Sequence, residues 1–252
     1  MSEPVELLLK SLRLPTFIRH YQALLDEQQD WAPVAYLTQL CEYELAERYQ
    51  RRVRLWTREA RLPAGKTFAS LQLEHLAKSA RQPVQQIMAD LDWWQRAENV
   101  ILVGASGVGK THIAAALGHQ LIAQQVRCKL FPAMALVEEL QQANEQLELM
   151  AYMSRLDKYR VIIIDDIGYV KKTNTQTQVL FEFIAHRYES SSLVITANQP
   201  FSEWDSIFPD NVMTVAAIDR LIHHASIIKL EGGSYRRRQQ MNEKKEKKNR
   251  QR

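Results

Sequence analysis

Two cysteines in 252 residues, Cys41 and Cys128, far apart and in no CxxC spacing, exclude a disulfide framework and a cysteine zinc site. That scarcity suits a reducing compartment, so a cytoplasmic location is expected. No apolar stretch approaches the roughly 20 residues that a membrane span needs. The opening MSEPVELLLKSLRLP lacks the charged start and apolar centre of a signal peptide, so a soluble protein with no membrane partner is expected. Internal repeats are absent. A charge of one sign is missing as well: the net charge is +4, and the segment from Arg236 to Arg252 holds nine Lys or Arg against two Glu, leaving −3 for the remainder. Nucleic-acid contact must therefore come from local patches or the tail. The plain reading of KKEKKNRQR is a solvated end.

What is present is a 46% hydrophobic chain, long enough for one sizeable core and a smaller attached domain. Residues 1–66 read as helical, with Pro15, Pro33 and Pro63 where helices would begin or end. A long helix is predicted from Pro33 to about Arg61. Its buried face is predicted from Val34, Leu37, Cys41, Leu45, Tyr49, Val53, Trp56 and Ala60, which recur at spacings of three and four. Arg51, Arg54, Arg58 and Arg61 keep the same spacing nearly opposite. With Arg48 and Arg52 they are the candidate DNA-contacting residues. Four guanidinium groups along about 15 Å of helix suit sequence-tolerant phosphate contacts, and an ordinary solvated face explains the same pattern.

After a helical connector, 67–98, short apolar runs alternate with helix-length segments. NVILV (99–103), RCKLF (127–131), YRVIII (159–164), SLVITA (192–197) and SIIKL (226–230) are five strand candidates, and the alternation predicts a parallel sheet covered on both faces. This α/β core is expected over 99–235, with a basic tail over 236–252.

The segment Gly104-Ala105-Ser106-Gly107-Val108-Gly109-Lys110-Thr111 matches GxxxxGK[ST] between a predicted strand and a predicted helix. Glycines let the backbone turn so that N–H groups face phosphates; Lys110 would reach the β- and γ-phosphates, and the Thr111 hydroxyl would ligate Mg²⁺. His112 follows and completes the candidate ATP site. In Val161-Ile-Ile-Ile-Asp165-Asp166 a buried strand ends in two carboxylates, and ligands in such sheets bind beyond the strands' C-terminal ends. Asp165 is assigned to Mg²⁺ and Asp166 to orienting or activating the attacking water. Asn198, after SLVITA, would hold that water or the γ-phosphate. Arg220 and Arg236 flank the last strand, and either could approach a γ-phosphate. His223 and His224 have no partner at metal-ligand spacing. Trp93 and Trp94 read as core packing, and the adenine pocket has no assigned residues. A small-molecule kinase would use the same loop, but no acceptor motif is present.

GASGVGKTH, VIIIDDIGY, SLVITANQPFSEW, IDRLIHHA and GGSYR, in this order, closely resemble the IstB-type ATPases of bacterial insertion sequences, helpers of IstA-type transposases. The related DnaC-like helicase loaders share the same AAA+ core. The resemblance implies an α/β P-loop AAA+ core with a five-stranded parallel sheet in the order 5-1-4-3-2, behind a small all-helical N-terminal domain. It implies a homo-oligomer in which Arg220 is the arginine finger of a neighbouring subunit's site and Arg236 a sensor within its own. Double-stranded DNA and the transposase of the same element are the implied partners, and a helicase loader is the alternative. Asp166 stands where many AAA+ members have Glu. Its carboxylate is shorter by one carbon–carbon bond, and displacement on the order of 1 Å costs about a hundredfold in rate, so slow turnover is expected. Only 22 residues follow Leu230, so no helical lid is expected.

Overall fold

Apolar runs bounded by turn residues become the strands of one sheet in the computed structural model, which describes residues 5–26, 32–168, 173–200, 203 and 211–233. They are β1 (Asn99–Gly104), β2 (Cys128–Pro132), β3 (Val161–Asp165), β4 (Ser192–Ala197) and β5 (Ala225–Leu230). All neighbours pair in parallel, in the order β2-β3-β4-β1-β5, which is the expected 5-1-4-3-2 read from the other edge. The central strands β1, β3 and β4 are buried almost throughout, whereas edge strand β5 exposes Ile227 and Lys229. Continuous apolar runs therefore mark the strands with helices on both faces.

Two compact units divide the chain, Met1–Trp56 and Thr57–Arg252. In the second, α4 (Lys78–Ala89), α5 (Lys110–Ala123), α6 (Ala133–Glu145), α7 (Leu149–Leu156), α8 (Asn174–Arg187) and α9 (Asn211–His223) accompany the sheet. Helix α8 starts at a capping box: Gln176 N donates to Thr173 Oγ1 (3.3 Å) and Thr173 N to Gln176 Oε1 (3.1 Å). Helix α5 lies close on the sheet because residue 118 is glycine; a Cβ there would sit 2.7 Å from Leu62 and 2.9 Å from Ile163. Asn99, buried at the start of β1, donates to Leu221 O (3.0 Å) and accepts from Leu193 N (2.8 Å), pinning β4 and α9 to the central strand.

The expected helical connector is an α-helix only over Lys78–Ala89; Phe68–Ser70, Leu73–His75 and Trp93–Arg96 are single 3₁₀ turns. Pro63 and Gly65 (φ +74°) break the chain there, and the Ser70 hydroxyl binds Gly65 O and Thr67 O. Trp93 is buried, as its expected packing role requires.

The first unit is helical, with α1 (Val5–Ser11), α2 (Pro15–Asp26) and most of α3 (Pro33–Ala60). Its buried face differs from the expected one over the first half of α3. Val34, Leu37 and Leu45 are 76%, 55% and 67% exposed and Cys41 is exposed, while Leu40 and Glu44 are buried to 2% and 4%. Polar bonds set this rotation, and apolar periodicity could not show them. Glu44 accepts from Thr16 N (3.1 Å) and Arg48 Nε (2.7 Å), Tyr36 donates to Tyr21 O (2.8 Å), and the tilted rings of Tyr43 and His20 lie 4.9 Å apart. Tyr49, Val53 and Trp56 are half-buried as expected.

In the second unit the last turn of α3 buries Ala60 and ends at Arg61 with φ 55°. Glu59, on that turn, accepts from Arg127 Nη2 (2.8 Å) and the Tyr159 hydroxyl (2.7 Å) and pairs with Lys158 (2.9 Å). Burial alone would push its carboxyl up; the hydrogen bonds from Tyr159, Lys158 and Arg127 outweigh it and hold Glu59 at about 2. Cys128, sealed in the core beside α5, is pushed up to about 12 by burial and is a structural thiol.

Candidate functional site

At the C-terminal rim of the sheet, β1 runs into residues 105–109 and then α5. Gly104 has to be glycine because a Cβ would lie 2.2 Å from Leu230 O of the neighbouring strand. Gly109, with φ 112°, caps α5, so the helix's first N–H groups face the mouth of the loop. Lys110 is buried, and its Nζ donates to Gly104 O (2.7 Å) and Ala105 O (3.0 Å). Thr111 Oγ1 donates to the Asp165 carboxylate, 3.0 and 3.1 Å from its two oxygens. A hydroxyl and a carboxylate meeting beside a phosphate loop form the hard-oxygen donor set that suits Mg²⁺.

Thr196 of β4, absent from the expected site, organises both acids. Fully buried, it donates to Asp165 Oδ1 (2.6 Å) and accepts from Asp166 N (2.8 Å). The second bond holds Asp166 at φ 64°, a left-handed geometry that turns its exposed carboxylate toward the cavity. Thr196 left a trace in the sequence: it is the one polar residue inside the apolar run Leu193–Ala197. Asn198 is exposed immediately after β4. Since Val103 pairs with Ala197, Asn198 falls level with Gly104, between the phosphate-loop strand and the carboxylate strand.

The loop opens into a cavity of about 490 Å³. Ser106 to His112 and Asp166 form one side; Gly65, Ser70, Leu71, His75 and Leu76 form the other. His112 Nε2 lies 3.0 Å from Thr67 O and 3.1 Å from Ser70 Oγ, joining the loop to this second wall. Leu71 and Leu76 put apolar side chains on this wall beside the polar Ser70 and His75. No sequence pattern announced it, because it is built from 3₁₀ turns.

Arg220 lies elsewhere. Its Nη1 donates to Ala216 O (3.1 Å), its guanidinium stands 5.2 Å from the Phe181 ring, and it shares a small hollow with Asn99 and Leu193. Those two residues begin β1 and β4, so Arg220 is about one strand length, roughly 17 Å, from its own phosphate loop. Arg236 is outside the described residues.

Among the candidate DNA-contacting arginines, Arg48 is committed to Glu44 and to Arg13 O (3.2 Å). Arg51 and Arg54 are exposed but lie 3.9 and 3.5 Å from Glu47, whose carboxylate offsets part of the stripe's charge. Arg52 stands 5.8 Å from the Trp56 ring. Arg58 and, beyond the helix end, Arg61 are exposed.

A family model described as IstB-like ATP binding protein matches residues 7–243. The chain belongs to this family. The IstB-like chain is 42% identical over 241 residues to an insertion sequence ATP-binding protein of Sinorhizobium fredii, covering 94% of this chain and 80% of the relative. It is 34% identical to the ATP-binding protein of insertion sequence IS21 of Pseudomonas aeruginosa, covering 92% and 88%. Among solved structures, DnaI matches with a TM-score of 0.56 at 18% identity, covering 68% of this chain and 95% of that one. The DnaC helicase loader matches with a TM-score of 0.51 at 17% identity, covering 60% and 88%. These likenesses show a shared fold, a parallel α/β core that carries the P-loop. No helix among the described residues is long and apolar enough to cross a membrane.

Proposed function

We propose that this IstB-like protein is an ATP-hydrolysing helper of transposition, in which ATP-bound subunits assemble on double-stranded DNA and present a target to the transposase of the same element. The contact of Thr111 with Asp165 carries the reading, because it joins phosphate loop and carboxylate strand in a chain of this family. Mg²⁺ bound by Thr111 and Asp165 would neutralise charge on the phosphates. Lys110 would exchange its loop carbonyls for phosphate oxygens, while the N–H groups at the start of α5 hold the remaining charge. Asp166 would accept the proton of an attacking water that Asn198 orients. Arg220, remote from its own loop, would act on the nucleotide of a neighbouring subunit and Arg236 within its own. Hydrolysis would then release or remodel the assembly. The exposed arginines of α3 and the basic tail would hold DNA phosphates.

The test is binding to a duplex of about 60 base pairs and to a single strand of equal length, with ATP, ADP or no nucleotide, over a salt series whose slope counts phosphate contacts. Cooperative, ATP-dependent duplex binding that Lys110→Ala abolishes is expected. Full binding by Lys110→Ala would overturn the assembly role. Binding confined to the single strand would favour a helicase loader.

A further inference from the structure

His223 and His224 gain in three dimensions the partner that sequence spacing denied them. Helix α9 ends at His223, and His224 leaves the helix so that the two imidazoles stand together, centroids 4.2 Å apart at an interplanar angle of 60°. Helix α8 ends beside them. Past its last residue Arg187, Glu189 adopts φ 56°, a left-handed turn that carries its carboxylate toward the α9 end. One ligand atom from each of Glu189, His223 and His224 lies within 4.8 Å of the other two, and all three side chains are exposed. Tyr188 adds a further feature: its hydroxyl is 2.8 Å from His223 Nδ1, so ligation through Nε2 would leave that contact in place. Ligating histidines are commonly held through their other nitrogen in this way.

From this convergence we infer that the α8 and α9 ends form a binding site for a transition-metal ion of the Zn²⁺ class, ligated by Glu189, His223 and His224 and leaving a coordination position open. Two imidazoles and one carboxylate are a donor set that zinc sites use. The same set is poorly matched to Mg²⁺, which prefers oxygen. Donors 2.0–2.1 Å from a tetrahedral ion are about 3.3 Å apart, so the three exposed side chains would need to close by at most about 1.5 Å. The site is separate from the Thr111 and Asp165 pair, which lies beyond the opposite ends of the strands. Its nearest charged neighbours on α9 are Asp219 and Arg220; bound metal would add positive charge one helical turn from Arg220 and tie the end of α9 to the end of α8.

The experiment uses the full-length, tag-free protein, dialysed against a chelator and titrated with CoCl₂ or ZnCl₂ in the presence of excess Mg²⁺. Binding of one Co²⁺ per chain, with visible absorption bands of a histidine-ligated ion, is expected. His223→Gln, His224→Gln and Glu189→Gln should each weaken it about tenfold or more, and Tyr188→Phe about tenfold, the size of effect seen when a ligand's hydrogen-bond partner is lost. Because these residues lie at the surface, the variants are expected to keep the parent melting temperature without metal, and the parent should gain more in melting temperature than any variant at the same Zn²⁺ concentration. Absence of Co²⁺ binding, or binding that none of the four substitutions changes, overturns the site.

Discussion

Thr196 has one hydroxyl and two carboxylate-bearing neighbours to serve. Its proton goes to Asp165 and its lone pair receives Asp166 N–H, so both acids take their position from the same oxygen. Thr196→Val keeps the shape of the side chain and removes both bonds. We expect this variant to bind ATP with little change in affinity while kcat falls about a hundredfold, the effect of displacing reacting groups by about 1 Å. Unchanged turnover would show that the left-handed turn at Asp166 holds without Thr196. At this scale contiguous motifs were legible: Gly104 to Thr111 and the pair Asp165–Asp166 stood out by their spacing, and the fold brings them together at Thr111 and Asp165. Thr196 and the wall around Leu71 and Leu76 were not, since one is a single hydroxyl within an apolar strand and the other is assembled from turns.

Among the elements, α3 shows how far periodicity reads. Its extent was legible from Pro33 and its long helical pattern, and the half-buried Tyr49, Val53 and Trp56 followed the pattern too. The first half of the helix turned otherwise because Glu44, a carboxylate that a hydropathy count places outside, is sealed in by Thr16 N and Arg48. At the other end of the helix, Glu59 carries a pH dependence. Its folded carboxyl, at about 2 against an ordinary 4.5, makes a contribution that is fully present above about pH 4.5 and is lost as pH falls toward 2. The shift corresponds to stability on the order of 3 kcal/mol. Glu59→Gln should therefore lower the stability measured by urea unfolding at pH 7 by about 2–3 kcal/mol and flatten the acid limb of the stability curve. A variant with the parent's acid limb would place that titration on another carboxylate.

For the whole molecule, the parallel sheet separates two chemistries by the length of a strand. Phosphate loop, Thr111 and Asp165 lie at one rim and Arg220 at the other, and the sheet order that produces this was legible from the alternation of strands and helices once the family resemblance supplied the strand sequence. In the proposed assembly an arginine so placed would serve a neighbour's nucleotide rather than its own. Mixing Lys110→Ala chains with Arg220→Ala chains, each inactive alone, should restore part of the ATPase activity, because some interfaces then pair an intact Lys110 with an intact Arg220. No recovery in the mixture, together with loss of ATP binding by Arg220→Ala, would mean that the arginine acts within its own chain.

The ammonium of Lys110 is already engaged by the carbonyls of Gly104 and Ala105. Phosphate oxygens that recruit Lys110 would have to replace these two carbonyls, so part of the intrinsic affinity for nucleotide would go into that exchange. The same contact braces the loop between visits. Lys110→Ala should thus lower the melting temperature of the nucleotide-free protein, where relief of buried charge alone would raise it, and differential scanning fluorimetry without ATP distinguishes the two.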